Sequence, residues 1–132
     1  EVIPVFQKRF PNLTIIDAIE YEGNAGENPS LDLCIPNYNN QKKYSAALSQ
    51  ATLEHLPRPG MAIENILRML EPEGILVLHT VNPKCPLHRL PVDCLRYFPD
   101  FYIEITKYLN PRCKLLTFIE SGPHQFVVWK RI

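Results

Sequence analysis

Residues 75–81, Ile-Leu-Val-Leu-His-Thr-Val, form an almost continuous apolar run. Such a run predicts a strand covered on both faces, the usual state of a strand in a parallel sheet. Just before it, Ala62, Ile63, Ile66, Leu67 and Leu70 follow the i, i+1, i+4, i+5, i+8 spacing of a helix with one face on a sheet. Pro57-Arg58-Pro59-Gly60 opens that helix, because proline in a first turn gives up an N–H that had no helical partner. Gly74 is expected to close it in the left-handed conformation. Upstream, Leu13-Thr14-Ile15-Ile16 is a short β-branched run ending at Asp17, a buried-strand signal. Residues 30–35 and 44–49 read as further strands. Residues 1–10 read as a helix tail with Val2, Val5, Phe6 and Phe10 on one side. Polar segments at 20–29 and 37–43 read as loops.

After a long loop over 82–91, residues 101–109 carry the best helical pattern within 93–109. Residues 114–120 and 125–131 are two strands joined by Ser121-Gly122-Pro123-His124. That link makes them an antiparallel hairpin, since a parallel crossover needs about a dozen residues. The order is α/β, with helices between parallel strands and a hairpin at one edge. Ligands in open α/β sheets sit beyond the carboxyl ends of the strands, so residues 48–56, Leu-Ser-Gln-Ala-Thr-Leu-Glu-His-Leu, hold the candidate chemistry.

The chain has 132 residues, which suits one domain over 1–132. Fourteen basic and 14 acidic residues give a net charge of zero, so no global basic field recruits nucleic acid or an anionic membrane. No apolar run approaches the roughly 18 residues needed to span a bilayer, and residues 1–9 do not read as a signal peptide. The cysteines Cys34, Cys85, Cys94 and Cys113 are irregularly spaced, and are expected to be reduced in a cytoplasmic protein. The 13 prolines fall mostly in connections and punctuate the elements.

Four segments carry a likeness to a known family. Residues 13–17 are a strand with a terminal acid. Residues 44–56 are a strand continuing into Leu53-Glu54-His55. Residues 68–74, Arg-Met-Leu-Glu-Pro-Glu-Gly, match the pattern R-x-L-x-P-x-G. Residues 88–98, His-Arg-Leu-Pro-Val-Asp-Cys-Leu-Arg-Tyr-Phe, match H-R-x-P-x-D-x-x-R-F/Y. In this order they resemble the later two thirds of a class I S-adenosylmethionine-dependent methyltransferase of the type 11-like group. The resemblance implies a three-layer, Rossmann-like sheet, mostly parallel, with a C-terminal antiparallel hairpin. The family's first strand and glycine-rich turn have no counterpart here, because Gly23 and Gly26 follow the second strand. The domain is therefore expected to be N-terminally incomplete. Ser45 replaces an aspartate common in the family, and Glu73-Gly74 replaces a double glycine.

The resemblance also assigns roles. Asp17 would grip a ribose diol, with Glu20 as the fallback acid, and Asp32 would meet the adenine amino group. Ser49, Gln50 and Ala51 would border S-adenosylmethionine at the strand end. His55 and His88 are the candidate catalytic bases, since imidazole can take a proton near neutral pH. Glu54 and His55 could equally be a structural pair fixing the loop. His88, Asp93 and Arg96 are the candidate substrate contacts, with Arg96 offering a two-pronged hold on an anion. Asp93 could instead lock Arg96 in an internal ion pair. Cys85, His88 and Cys94 offer three zinc donors, but no second pair lies near them in the sequence and no metal site is expected.

The first functional expectation is methyl transfer to a small-molecule, lipid or glycan acceptor. The alternative is a non-catalytic scaffold that has lost the cofactor's glycine loop. An open sheet edge would let such a module pair with a second copy or another chain.

Overall fold

The computed structural model describes residues 8–9, 32–36, 42–89 and 92–132. The chain divides into two compact units, Glu1–Asp32 and Leu33–Ile132. In the first, Lys8 and Arg9 are helical, as the pattern over 1–10 predicts. The strand expected at 13–16, together with Asp17 and Glu20, lies outside the described residues.

The second unit contains β1 (Tyr44–Gln50), a 3-10 turn (Leu53–His55), α1 (Pro59–Met69), β2 (Leu70–Val81), α2 (Pro99–Leu109), β3 (Cys113–Ser121) and β4 (His124–Arg131). The four strands make one mixed sheet in the order β1-β2-β4-β3. β1 and β2 are parallel, with α1 as their crossover. β4 runs antiparallel to both β2 and β3, so the expected C-terminal hairpin forms and its last strand inserts beside β2. The hairpin turns through Gly122, whose φ of 57° suits a residue without a Cβ.

The core follows the strand period of two. The cross-strand pairs Leu76↔Trp129 and Leu78↔Val127 share a face and are fully buried. α2 lays Tyr102 on that face, with its ring centroid 6.0 Å from that of Trp129. The Tyr102 hydroxyl donates to Gln125 Oε1 at 2.6 Å. Trp129 Nε1 donates to Thr106 Oγ1 at 2.7 Å, so both large aromatics satisfy their polar atoms. In α1 the stripe Ala62, Ile63, Ile66 and Leu67 is buried as its spacing predicts.

Two local expectations are corrected. Residues 33–36 form a turn rather than the end of a strand. The buried Asn65 amide donates to the carbonyls of Leu33 and Ile35, at 2.9 Å each, and so takes acceptors a strand partner would have used. The second correction concerns the helix end. α1 stops at Met69, and Leu70 is already extended at φ −81°, ψ 152°. The left-handed residue is Glu73 (φ 68°), not Gly74. Gly74 is required for space instead, since a Cβ there would lie 2.8 Å from the Glu71 carbonyl oxygen. Leu70 is fully buried while Glu71, Pro72 and Glu73 are exposed, so the chain bulges outward between two buried points. The register records this bulge, stepping from Tyr44↔Leu70 to Ala46↔Ile75.

Candidate functional site

Because β1 and β2 are parallel, their carboxyl ends finish together, with Ser49 beside Leu78 and Gln50 beside His79. Past Gln50 the chain turns sharply at Ala51, which adopts φ 46°. The Ala51 amide donates to the His79 carbonyl at 3.0 Å, and Thr52 Oγ1 donates to the Gln50 carbonyl at 3.0 Å. Ser49 is buried, whereas Gln50 and Ala51 are exposed. A small exposed residue at this turn leaves the strand end clear of bulk. That suits the close approach of a nucleoside to the backbone, so these residues fit the strand-end part of the expected cofactor site. Asp32 is exposed and belongs to the first unit.

The turn then drives Leu53, Glu54 and His55 into the interior. A returning segment clamps it there. The amides of Cys94 and Leu95 both donate to the Glu54 carbonyl, at 2.9 and 3.0 Å. The Tyr97 hydroxyl donates to the Leu53 carbonyl at 2.7 Å, and burial pushes this phenol well above its ordinary range.

The side chain of Glu54 is fully buried. Its Oε2 accepts a hydrogen bond from Thr80 Oγ1 at 2.8 Å. Its Oε1 has no hydrogen-bond partner among the described residues. That atom faces two imidazoles, 4.0 Å from His55 Nε2 and 3.9 Å from His88 Nε2. The two rings meet edge to face with centroids 5.1 Å apart. The tertiary structure thus brings together His55 and His88, the two candidate bases, and places a carboxylate between them.

Each ring is oriented from behind. His55 Nδ1 lies 2.5 Å from the Val92 carbonyl, to which it donates, so Nε2 is the ring nitrogen turned toward Glu54. His88 Nδ1 lies 3.2 Å from the Pro86 carbonyl and 3.5 Å from Asp93 Oδ2, and its backbone amide donates to Asp93 Oδ2 at 2.6 Å.

Asp93 and Arg96 hold one another. Arg96 Nη2 donates to Asp93 Oδ2 at 2.6 Å, and Nη1 donates to Oδ1. The same guanidinium donates through Nε to the Cys85 carbonyl at 3.1 Å, through Nη2 to the Pro86 carbonyl at 2.8 Å, and through Nη1 to the Leu95 carbonyl at 2.8 Å. The Arg96 hydrogen bonds hold the Asp93 carboxyl far below the usual carboxylate range. Of the two readings offered by the sequence, internal ion pair or substrate clamp, the geometry is that of the ion pair. It braces the segment that carries His88.

Cys85, His88 and Cys94 do not form one donor set. Cys85 Sγ approaches His88 Nδ1 at 3.7 Å, while Cys94 Sγ donates to the His55 carbonyl at 3.5 Å. A shallow apolar depression of about 410 Å³ lies along α2, lined by Asp100, Phe101, Glu104, Ile105 and Tyr108. It contains none of the polar groups above, so shape and chemistry point to different places, and the converging polar groups carry the assignment.

Sequence reasoning missed Thr80 and Tyr97. Thr80 had a signal, as a polar residue in an apolar run. Tyr97 had none, because its partner is a backbone carbonyl 44 residues away.

A methyltransferase-domain family matches residues 1–112. The chain belongs to this family. Among curated proteins, the methyltransferase-family chain is 29% identical over 87 residues to the ubiquinone biosynthesis O-methyltransferase of Haemophilus ducreyi. That match covers 63% of the chain and 36% of the relative, so the chain spans about a third of that enzyme. Among solved structures, it resembles the N-methyltransferase NodS of Bradyrhizobium japonicum bound to S-adenosyl-L-homocysteine. That likeness has 17% identity and a TM-score of 0.60, over 95% of this chain and 70% of that one. It also resembles 1,6-didemethyltoxoflavin-N1-methyltransferase of Burkholderia thailandensis, with 14% identity and a TM-score of 0.65, over 98% of this chain and 64% of that one. At these identities the two structures establish the fold, which is the α/β methyltransferase fold the motif order implied.

Proposed function

We propose that this methyltransferase-family chain serves S-adenosylmethionine-dependent transfer of a methyl group to a hydroxyl or amino group of a small molecule. The observation that carries the reading is the convergence of His55 Nε2 and His88 Nε2 on Glu54 Oε1 beside the carboxyl end of β1. When bound, S-adenosylmethionine supplies an already activated methyl group, so the protein's share of catalysis is chiefly orientation. Ser49, Gln50 and Ala51 border the cofactor, and the family resemblance alone gives Asp17 and Asp32 the roles of ribose and adenine contacts. On the acceptor side, either His55 Nε2 or His88 Nε2 takes the acceptor's proton. Glu54 Oε1 faces both atoms and stabilises whichever ring becomes charged. Asp93 and Arg96 act as positioning residues, because they fix the backbone of His88. The O-methyltransferase relative favours an oxygen acceptor over a nitrogen one.

Calorimetric titration with S-adenosylhomocysteine tests the cofactor half of the reading, with Asp17→Ala expected to weaken binding about tenfold or more through the lost ribose contact. A methyl-transfer assay over hydroxylated aromatic acceptors tests the other half. There His88→Ala should lower turnover by about 10²-fold or more, with little change in cofactor affinity. A stable fold with no heat and no thermal shift on adding the nucleoside would favour the non-catalytic scaffold.

A further inference from the structure

We infer that Glu54, His55 and His88 form a binding site for one divalent transition-metal ion. Their donor atoms all lie within 4.8 Å of one another. Bonds of about 2.0–2.2 Å put the ligand atoms around one ion roughly 3–4 Å apart. The Glu54 Oε1 separations of 4.0 and 3.9 Å from the two Nε2 atoms need only a small inward rotation of the rings.

Three further observations point the same way. Glu54 Oε1 is buried and lacks a hydrogen-bond partner among the described residues. A buried carboxylate oxygen without a partner is costly, and a cation at this point would give it one. Both imidazoles turn Nε2 inward: His55 has the Val92 carbonyl behind Nδ1, and Nδ1 of His88 meets the Pro86 carbonyl and Asp93 Oδ2, with Arg96 Nη2 at 3.3 Å beside them. Ligating histidines are oriented in this way, through an outer hydrogen bond that fixes the tautomer. Finally, the charge of Arg96 is spent on Asp93, so the Glu54 carboxylate is left to face the ion.

Two imidazole nitrogens and one carboxylate oxygen suit zinc, cobalt, iron or manganese rather than magnesium or calcium. Three protein ligands leave at least one position open for water or an acceptor oxygen, which the ion would polarise. With an ion bound, both Nε2 lone pairs are committed to it. Neither imidazole is then free to take a proton, so metal binding and the general-base role are alternative uses of the same two nitrogens, which metal titration and the methyl-transfer assay distinguish.

The test uses the full chain stripped with a chelator. Zn²⁺ is titrated by calorimetry, and Co²⁺ by its visible absorption. One equivalent should bind, and the cobalt spectrum should report nitrogen and oxygen ligation without thiolate charge transfer. His88→Ala should weaken both metals by about tenfold or more. Its side chain is a third exposed, so the fold should persist. Glu54→Gln, which keeps an acceptor for Thr80, should do the same. Cys85→Ser and Cys94→Ser should leave the affinity unchanged. Absence of binding overturns the site, as does equal binding by a folded His88→Ala variant or loss of binding in the cysteine variants. S-adenosylhomocysteine titration of the metal-free protein reads the cofactor proposal separately.

Discussion

Thr80 Oγ1 donates to Glu54 Oε2 at 2.8 Å, and this single bond decides which oxygen of the buried carboxylate turns toward the histidines. Thr80 sits near the end of β2, and Glu54 sits in the turn that leaves β1. The hydrogen bond therefore joins the ends of two parallel strands through side chains.

Thr80→Val removes the donor while keeping the shape. It leaves a buried charged oxygen unpaired, so a stability loss of about 1–3 kcal/mol is expected in urea unfolding. Thr80→Ser should restore most of it. Equal stability of the valine and serine variants would show that the bond does not anchor Glu54.

The Asp93–Arg96 brace has a pH signature. The Asp93 pKa is lowered below its ordinary 3.8, chiefly by hydrogen bonds from Arg96. The folded state therefore favours the charged form. The resulting stability is fully present above 3.8 and is lost as pH falls through the lowered folded value. Acid titration followed by hydrogen exchange should show the amides of His88 and Cys94 opening in that window. Asp93→Asn should open them already at neutral pH.

His79 gives an opposite charge preference with the same sign in pH. Its Nε2 lies 3.1 Å from His124 Nδ1, so one ring donates and the other accepts. Burial first, then the neighbouring His124, lowers the His79 pKa below 6.5. The neutral ring is favoured in the fold, and its contribution is complete above 6.5 and fades as pH falls from there through the lowered folded value. In His124→Gln, an NMR titration should find the His79 pKa raised, though still below 6.5 because burial remains. A pKa unmoved by the substitution would rule out the pair as a cause.

Gly74→Ala should destabilise by about 1–3 kcal/mol, as overpacking does. The new Cβ would stand 2.8 Å from the Glu71 carbonyl oxygen and 3.2 Å from that of Ser45. Thermal unfolding checks this, and an unchanged melting temperature would mean that the bulge before Ile75 gives way freely.

Much of the fold was legible because it depends on local pattern. The stripe of α1, the apolar run of β2 and the short link of the hairpin each appear where periodicity puts them. The bulge at residues 71–73 was not legible, because the left-handed residue is a glutamate chosen by the buried points on either side. Residues 33–36 read as extended from composition, yet the amide of Asn65, about 30 positions away, holds them as a turn.

The sequence by itself determined the candidate residue types, since His55 and His88 were chosen for their proton chemistry and Asp93 with Arg96 for their charge. It could not choose between a clamp and a brace for Arg96, because that depends on which carbonyls lie within reach once the loop has closed. It also could not give Glu54 its orphaned oxygen. That atom became exceptional only when tertiary packing removed water and, among the described residues, supplied a hydrogen-bond donor to one of the two carboxylate oxygens but not to the other.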